Sequence, residues 1–343
     1  GMGLNAYLAY TVVGVMGYHW QVALLAVFVE GIIFIVLSLT NVREAIFDAI
    51  PLNLKKGVSV GIGIFIAFIG LQNAKLVIGN KSTLVSITNF TKDFHTAGIC
   101  SLLAVIGLLI TVILYIKKVP GSILIGILAT WVIGMLCQVT GIYVPDFKTG
   151  YYSLFPTFAM TDFSKLGETF GKCFQYDLGK VGIFNFIAVV LSFLFVDLFD
   201  TLGTLVGVST KAGMLDEEGK LPGIKPALMA DAVATTAGAV LGTSTVTTFV
   251  ESSSGVAAGG RTGLTAVVSG FLFLISTLFA PIFTAIPSFA TAPALIMVGF
   301  LMLTSITKID FSDYTEAIPC FITIIAMPFM YSISEGIAMG VIS

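Results

Sequence analysis

Thr243-Ser244-Thr245-Val246-Thr247-Thr248-Phe249-Val250-Glu251-Ser252-Ser253-Ser254-Gly255 is the stretch on which the fold turns. It lies between two strongly apolar runs, residues 232–241 and 264–280, in a chain that is otherwise lipid-soluble. Alternating Thr and Val make a poor membrane helix and a good short extended segment. Glu251 closes the alternation, and Ser and Gly follow. Non-helical backbone at membrane depth persists only where protein or a polar cavity satisfies its N–H and C=O groups. A carboxylate there costs kilocalories unless it has a task. The stretch therefore reads as the broken helix of a transporter site. The plainer alternative is a polar loop outside the membrane joining two spans. A second segment that repeats the design weighs against it.

Composition sets the class. Hydrophobic residues make up 57% of the 343 and charged residues 10%, against about 25% charged in a soluble domain. Mean hydropathy is +1.02. This is a multi-pass protein of the cell membrane, and its 36 glycines suit close helix packing in lipid. The net charge of −2 and the lack of any basic cluster beyond two adjacent residues give no reason to expect nucleic acid as a partner. Cys100, Cys137, Cys173 and Cys320 are widely spaced and only two histidines occur, so neither a metal centre nor a disulfide framework is expected. No cofactor is expected either. The chain starts Gly1-Met2-Gly3 and stops at Ser343 inside an apolar run; both ends read as cut, which makes this most of a protein rather than all of it.

A span needs about 20 apolar residues, fewer where a helix is broken. Such runs fall at residues 6–17 (short), 22–39, 58–71, 97–116, 119–142, 181–208, 227–241, 250–259 (short), 264–286, 292–305 and 317–331, with one more beginning at 336. Two long polar connections interrupt them, 73–96 and 140–180, and a surface helix is expected over 162–173. Gln72-Asn73 reads as the close of a helix at the membrane surface. Arg43, Lys55, Lys56, Lys117, Lys118, Lys211, Lys220, Lys225, Arg261 and Lys308 fall in loops on one side, whereas the short loops on the other hold no Lys or Arg. By the positive-inside rule the first side is cytoplasmic.

Laid on itself, the chain matches in three places and in the same order. Residues 1–39 align without gaps on 242–280, so that Gly14 falls on Gly255 and Tyr10 on Glu251. Ile46-Phe47-Asp48-Ala49-Ile50-Pro51 then matches Ile282-Phe283-Thr284-Ala285-Ile286-Pro287, and Ile123-Leu124-Ile125-Gly126-Ile127 resembles Ile337-Ala338-Met339-Gly340-Val341. The partner of the first span lies seven segments further on. An odd number gives the halves opposite topology, the arrangement of secondary transporters with a site between repeats. Residues 1–10 and 242–251 are then the two interrupted elements.

Asp197 and Asp200 stand three apart in the apolar run 188–204, which puts both on one helical face, and Thr201 and Thr204 extend that polar stripe. Two acids in an apolar span are a functional signal; each also has the plainer reading of capping a neighbouring helix or pairing with a lysine. Glu251 is the sharpest candidate, because a protonatable acid that hydrogen-bonds a solute couples proton entry to solute entry. Asn5 offers both a donor and an acceptor, or else caps the helix that follows. Glu30 reads as a structural acid paired across helices rather than a substrate ligand.

Gly1-Met2-Gly3-Leu4-Asn5-Ala6-Tyr7, Val196-Asp197-Leu198-Phe199-Asp200-Thr201-Leu202-Gly203-Thr204 and residues 243–255 together resemble the adenine/guanine/hypoxanthine permeases. These are the AzgA-like branch of the nucleobase:cation symporter-2 (xanthine/uracil permease) superfamily, and the likeness covers essentially the whole chain. The resemblance implies an all-α membrane fold of seven plus seven inverted spans, divided into core and gate, with two short strands in interrupted helices meeting at the substrate. On that count the first two spans are absent. Residues 1–142 are the remainder of the first repeat (third to seventh spans), 143–180 an external connection, and 181–343 the second repeat (eighth to part of the fourteenth). The resemblance implies import of adenine, guanine or hypoxanthine by cation symport, with H⁺ as the coupling ion. Asn5, Asp197 and Glu251 would contact the purine, with Thr248 and Phe249 beside it; Asp200 would support the site or the proton path. The partners implied are a purine base, the lipid bilayer and a second copy of the chain in a homodimer.

Four other readings compete, one of them a channel, which would not need a proton-titratable acid pair on interrupted helices. A xanthine/uracil-type permease would be expected to show Glu-Asn-x-Gly after the second strand, where this chain has Glu251-Ser252-Ser253-Ser254-Gly255. An anion transporter on the same fold would offer helix N-termini and a cation rather than three acids. An enzyme would need a nucleophile–base or metal constellation, and no His or Cys lies near these acids in sequence, so transport rather than catalysis is expected.

Overall fold

The computed structural model describes residues 4–5, 7–91, 93–175, 181–249 and 251–343. It is helical throughout its apolar runs. The principal helices are α1 (Trp20–Leu39), α2 (Val42–Ala49), α3 (Leu52–Asn73), α4 (Ile99–Ile116), α5 (Ser122–Val139), α6 (Ile183–Ala212), α7 (Ile224–Leu241), α8 (Ser252–Ala257), α9 (Gly263–Leu278), α10 (Ser288–Leu303), α11 (Tyr314–Met330) and α12 (Ile333–Ile342). Among the described residues, seven helical segments are long and apolar enough to cross a membrane.

The second interruption falls where the Thr-rich run places it, whereas the first, expected over residues 1–10, lies partly outside the described residues and is helical where it is described. Residues 243–249 form no helix, and Tyr7–Val15 is wound in wide, π-type turns, a distortion common at functional sites. The element order repeats as the self-alignment requires. Trp20–Leu39 corresponds to Gly263–Leu278, Val42–Ala49 to the short helix Ala280–Phe283, and Leu52–Asn73 to Ser288–Leu303 with its continuation Thr304–Lys308. The described strands lie elsewhere, as an antiparallel hairpin of β1 (Val77–Asn80) and β2 (Leu84–Ile87) in the first polar connection. A strand needs a ladder partner. The repeat-mate of the 243–249 run begins at residues 1–3, outside the described residues; Leu4 and Asn5, which follow, are helical. Short helical turns at Phe163–Lys165, Leu166–Thr169 and Lys172–Phe174 occupy the expected surface segment.

The chain folds as two compact units, each drawing on both halves of the sequence. The first comprises Gly1–Ile62, Asp162–Ser252 and Met302–Ser343. At its heart α1 packs on α6 and α7 through Val22, Ala23, Ala26 and Val27 against Phe186, Val189, Val190, Phe193 and Ala239. These α1 residues, with Glu30, Gly31, Phe34 and Ser38, are all buried on that helix, at the three- and four-residue spacing of one face. In lipid the drive to pack is close van der Waals contact, which small residues permit. Gly31 shows this: a Cβ there would lie 2.4 Å from the Thr236 hydroxyl of α7.

The second unit comprises Gly63–Thr161 and Ser253–Leu301. Its α4 and α5 interlock reciprocally. A Cβ on Gly107 would meet the Thr130 hydroxyl at 2.0 Å, and one on Gly126 the Thr111 hydroxyl at 2.0 Å. Each threonine bonds back to its own helix, Thr111 to the Gly107 carbonyl and Thr130 to the Gly126 carbonyl, both at 2.7 Å. Trp131, buried in the same core, donates its indole N–H to the Leu154 carbonyl at 2.8 Å.

Candidate functional site

The site is built on the first unit from helix α6 outward. Asp197, Asp200, Thr201 and Thr204 are all buried, as expected for residues three and four apart on one face. The Thr201 hydroxyl lies 2.9 Å from Asp197 Oδ1, to which it donates, and 2.7 Å from the Thr247 hydroxyl. That second contact ties the helix to the non-helical run.

Along that run the side chains alternate. Thr245 and Thr247 are buried, while Val246 and Thr248 are half-buried, the period of extended backbone. Thr245 donates to Glu30 Oε2 on α1 at 3.2 Å. On α7 the Thr235 hydroxyl donates to the Val246 carbonyl at 2.7 Å, replacing one of the bonds a broken helix forfeits. Ser244 donates to the side-chain carbonyl of Asn5. The two interrupted elements of the repeat therefore meet, and a single stretch of seven non-helical residues touches α1, α6, α7 and the start of the chain.

Beneath this layer lies an ion pair. Arg43 of α2 is fully buried and bonds Asp231 Oδ2 of α7 at 3.0 Å. Its other terminal nitrogen donates to the Leu228 carbonyl at 3.1 Å. The guanidinium also sits 4.0 Å above the Phe34 ring centre, so cation–π attraction adds to the charge pairing. Thr201 approaches Asp231 Oδ2 at 3.5 Å, which joins the ion pair to Asp197. Glu30, bonded by Thr245, and Asp197, bonded by Thr201, both border the same non-helical run, which Thr247 ties to Thr201. Glu30, Asp197, Asp200 and Asp231 are all buried, and among the described residues the buried guanidinium of Arg43 is bonded to Asp231 alone of these acids.

Arg43 and Lys55 depart from the loop reading. Arg43 is buried as described, and Lys55 is buried at the start of α3, bonded to the Gly219 carbonyl at 2.8 Å. Helix α2 is amphipathic and turns its basic residue inward, where it meets Asp231. The signal was present in the sequence: Asp231 is the one acid in the apolar run 227–241, and an acid there needs a partner. Glu30 pairs across helices, as its position in a span suggests.

The remaining candidates lie toward the surface of this unit. Asn5 and Glu251 are exposed, Phe249 is half-exposed and Thr248 half-buried. Glu251 occupies the turn that leads into α8. Asn5, Phe249 and Glu251 thus lie at the surface near the buried Asp197, Thr245 and Thr247, with Thr248 between exposed and buried. Among the described residues no group of His, Cys, Asp and Glu is arranged to hold a metal ion. A cavity of about 570 Å³ in the second unit, lined by residues such as Asn73, Lys75, Tyr143 and Phe289, shares no residue with this cluster.

Inverted repeats with interrupted helices and buried acids define a membrane permease. The chain belongs to the Permease family (Xan_ur_permease), which it matches over residues 1–339. It is 45% identical over 342 residues to the guanine/hypoxanthine permease PbuG of Bacillus subtilis, covering 100% of this chain and 73% of that one. It is 40% identical over 343 residues to the adenine permease AdeQ of Escherichia coli, covering 100% and 72%. Among solved structures, the transmembrane domain of the cyanobacterial bicarbonate transporter BicA superposes with a TM-score of 0.57 at 15% identity, over 98% of this chain and 80% of that one. At that identity the likeness establishes a shared fold. The chain is accordingly a multi-pass protein of the cell membrane.

Proposed function

We propose that the protein carries purine nucleobases across the membrane by proton symport, with adenine, guanine and hypoxanthine as substrates. The observation that carries this is the non-helical run 243–249 lying against Asp197, Thr201 and Glu30. A purine edge alternates N–H donors with ring-nitrogen and carbonyl acceptors, and these residues offer a matching set. Asp197 and Glu251 accept from the base, Asn5 both donates and accepts, the Thr248 hydroxyl contributes a further bond, and Phe249 stacks on the ring. Asp200, one turn along α6, supports Asp197. Permeases whose names state purine substrates align along the whole chain, and that supports the substrate class. The carboxyl-rich cluster disfavours an anion as cargo on this fold.

Uptake of labelled adenine into cells expressing the protein tests the reading. Hypoxanthine and guanine are expected to compete at micromolar concentration, and uracil and bicarbonate to leave uptake unchanged. Competition by uracil or xanthine alone, with none by the other purines, would instead make this a xanthine/uracil-type permease. Collapse of the proton gradient is expected to abolish accumulation.

A further inference from the structure

Glu30 and Asp197 are both fully buried, and each keeps one carboxyl oxygen, Glu30 Oε1 and Asp197 Oδ2, that accepts no hydrogen bond from any described residue. Thr245, which bonds Glu30, and Thr247, which reaches Asp197 through Thr201, stand two residues apart on one extended run, so the two carboxyls are neighbours, and a carboxylate offers only acceptors. Two neighbouring like charges out of water are strongly disfavoured, and such carboxyl pairs share one proton. The neighbours do not supply the missing donor. Thr245 is already directed at Glu30 Oε2 and Thr201 at Asp197 Oδ1. The only guanidinium in the cluster is bonded to Asp231, while Asp200 and Asp231 add negative charge. From the turn that packs on α1, Lys172 is bonded to Gln175.

We infer that the Glu30–Asp197 pair is the seat of the coupling proton and that Glu30, a residue outside the base-contacting set, is the positioning residue that links proton to substrate. This rests on the purine-symport reading. With the proton on Glu30, its O–H donates to Asp197, which is held as a carboxylate that accepts from the base. Thr245 meanwhile clamps the non-helical run to the same Glu30. When the proton leaves to water, two facing carboxylates repel, the clamp and the Asp197 orientation fail together, and the base is released. Base and proton therefore favour the same state, and by linkage each tightens the other by an equal factor.

The full-length protein in proteoliposomes tests this with Glu30→Gln and Glu30→Asp. In the wild type, affinity for adenine is expected to fall up to about tenfold per pH unit once the proton is lost. Glutamine mimics the protonated acid, so Glu30→Gln is expected to bind adenine with a flat pH profile and to equilibrate it without accumulation. Glu30→Asp is expected to restore a pH-dependent profile. Infrared difference spectra between low and high pH are expected to show the carbonyl band of a protonated carboxyl in the wild type and to lose it in Glu30→Gln. Accumulation against a gradient by Glu30→Gln, or an unchanged carbonyl band, would overturn the assignment. The infrared readout needs no substrate. If the wild type binds no purine and the band still vanishes, the purine reading fails while the proton site stands.

Discussion

At the scale of single residues, the cluster separates groups that meet solvent from groups that do not. Glu251 is exposed and Glu30 fully buried, so the same Glu→Gln change is expected to act oppositely at the two. Glu251→Gln removes a charged hydrogen-bond acceptor for the base, about 1.5–3 kcal/mol, or roughly 10- to 100-fold in Kd, and keeps the pH profile. Equilibrium binding of labelled adenine at two pH values checks this; a flattened profile in Glu251→Gln would move the coupling role there. Asp197→Ala is expected to abolish binding, whereas Asp200→Asn retains measurable affinity with slower uptake. Arg43→Ala leaves Asp231 buried without its cation, a loss of about 3–5 kcal/mol, seen as a lowered Tm and poor yield in detergent. Replacing both partners, Arg43→Leu with Asp231→Leu, is expected to recover most of that stability, because the cost lies in the orphaned charge.

At the scale of elements, the non-helical run is held by side chains rather than by a ladder. Thr235 serves the Val246 carbonyl, Thr245 serves Glu30 and Thr247 serves Thr201. Each such bond is worth about 1 kcal/mol net. Thr247→Val keeps the shape and deletes the bond, so a several-fold rise in Kd with normal membrane abundance is the expected result, read by the same binding assay. The helix contacts around the run tolerate less. At Gly31 the backbone of α1 approaches Thr236 so closely that Gly31→Leu must push α1 from α7 and carry Glu30 with it. That variant is expected to lose accumulation even where it reaches the membrane; wild-type uptake by Gly31→Leu would show that the contact has slack.

At the scale of the whole molecule, charge asymmetry and the repeat make a statement about topology. Ser82, in the turn of the β1–β2 hairpin, is expected to face outward. Lys118 and Glu217, in short connections of the basic side, are expected to face the cytoplasm. In a background with the four native cysteines replaced, Ser82→Cys should react with an impermeant maleimide on intact cells. Lys118→Cys and Glu217→Cys should react only after permeabilisation. The reverse pattern would invert the orientation and with it the direction of coupled import.

Sequence alone determined the membrane class, the run of spans, the interruption at 243–249 and the acids of α6, because each is a local property: apolar length, a Thr/Val alternation, a spacing of three. The repeat was legible for the same reason, since a gapless match of residues 1–39 on 242–280 needs no coordinates. Tertiary structure decided which acids meet. That Arg43 leaves its loop reading to neutralise Asp231, and that Glu30 and Asp197 are buried along one run, depends on α1, α2, α6 and α7 packing together, through contacts between residues as much as 215 positions apart. A charge in an apolar run announces that it must have a partner; only the fold, by bringing distant helices within about 3 Å, says which partner it is.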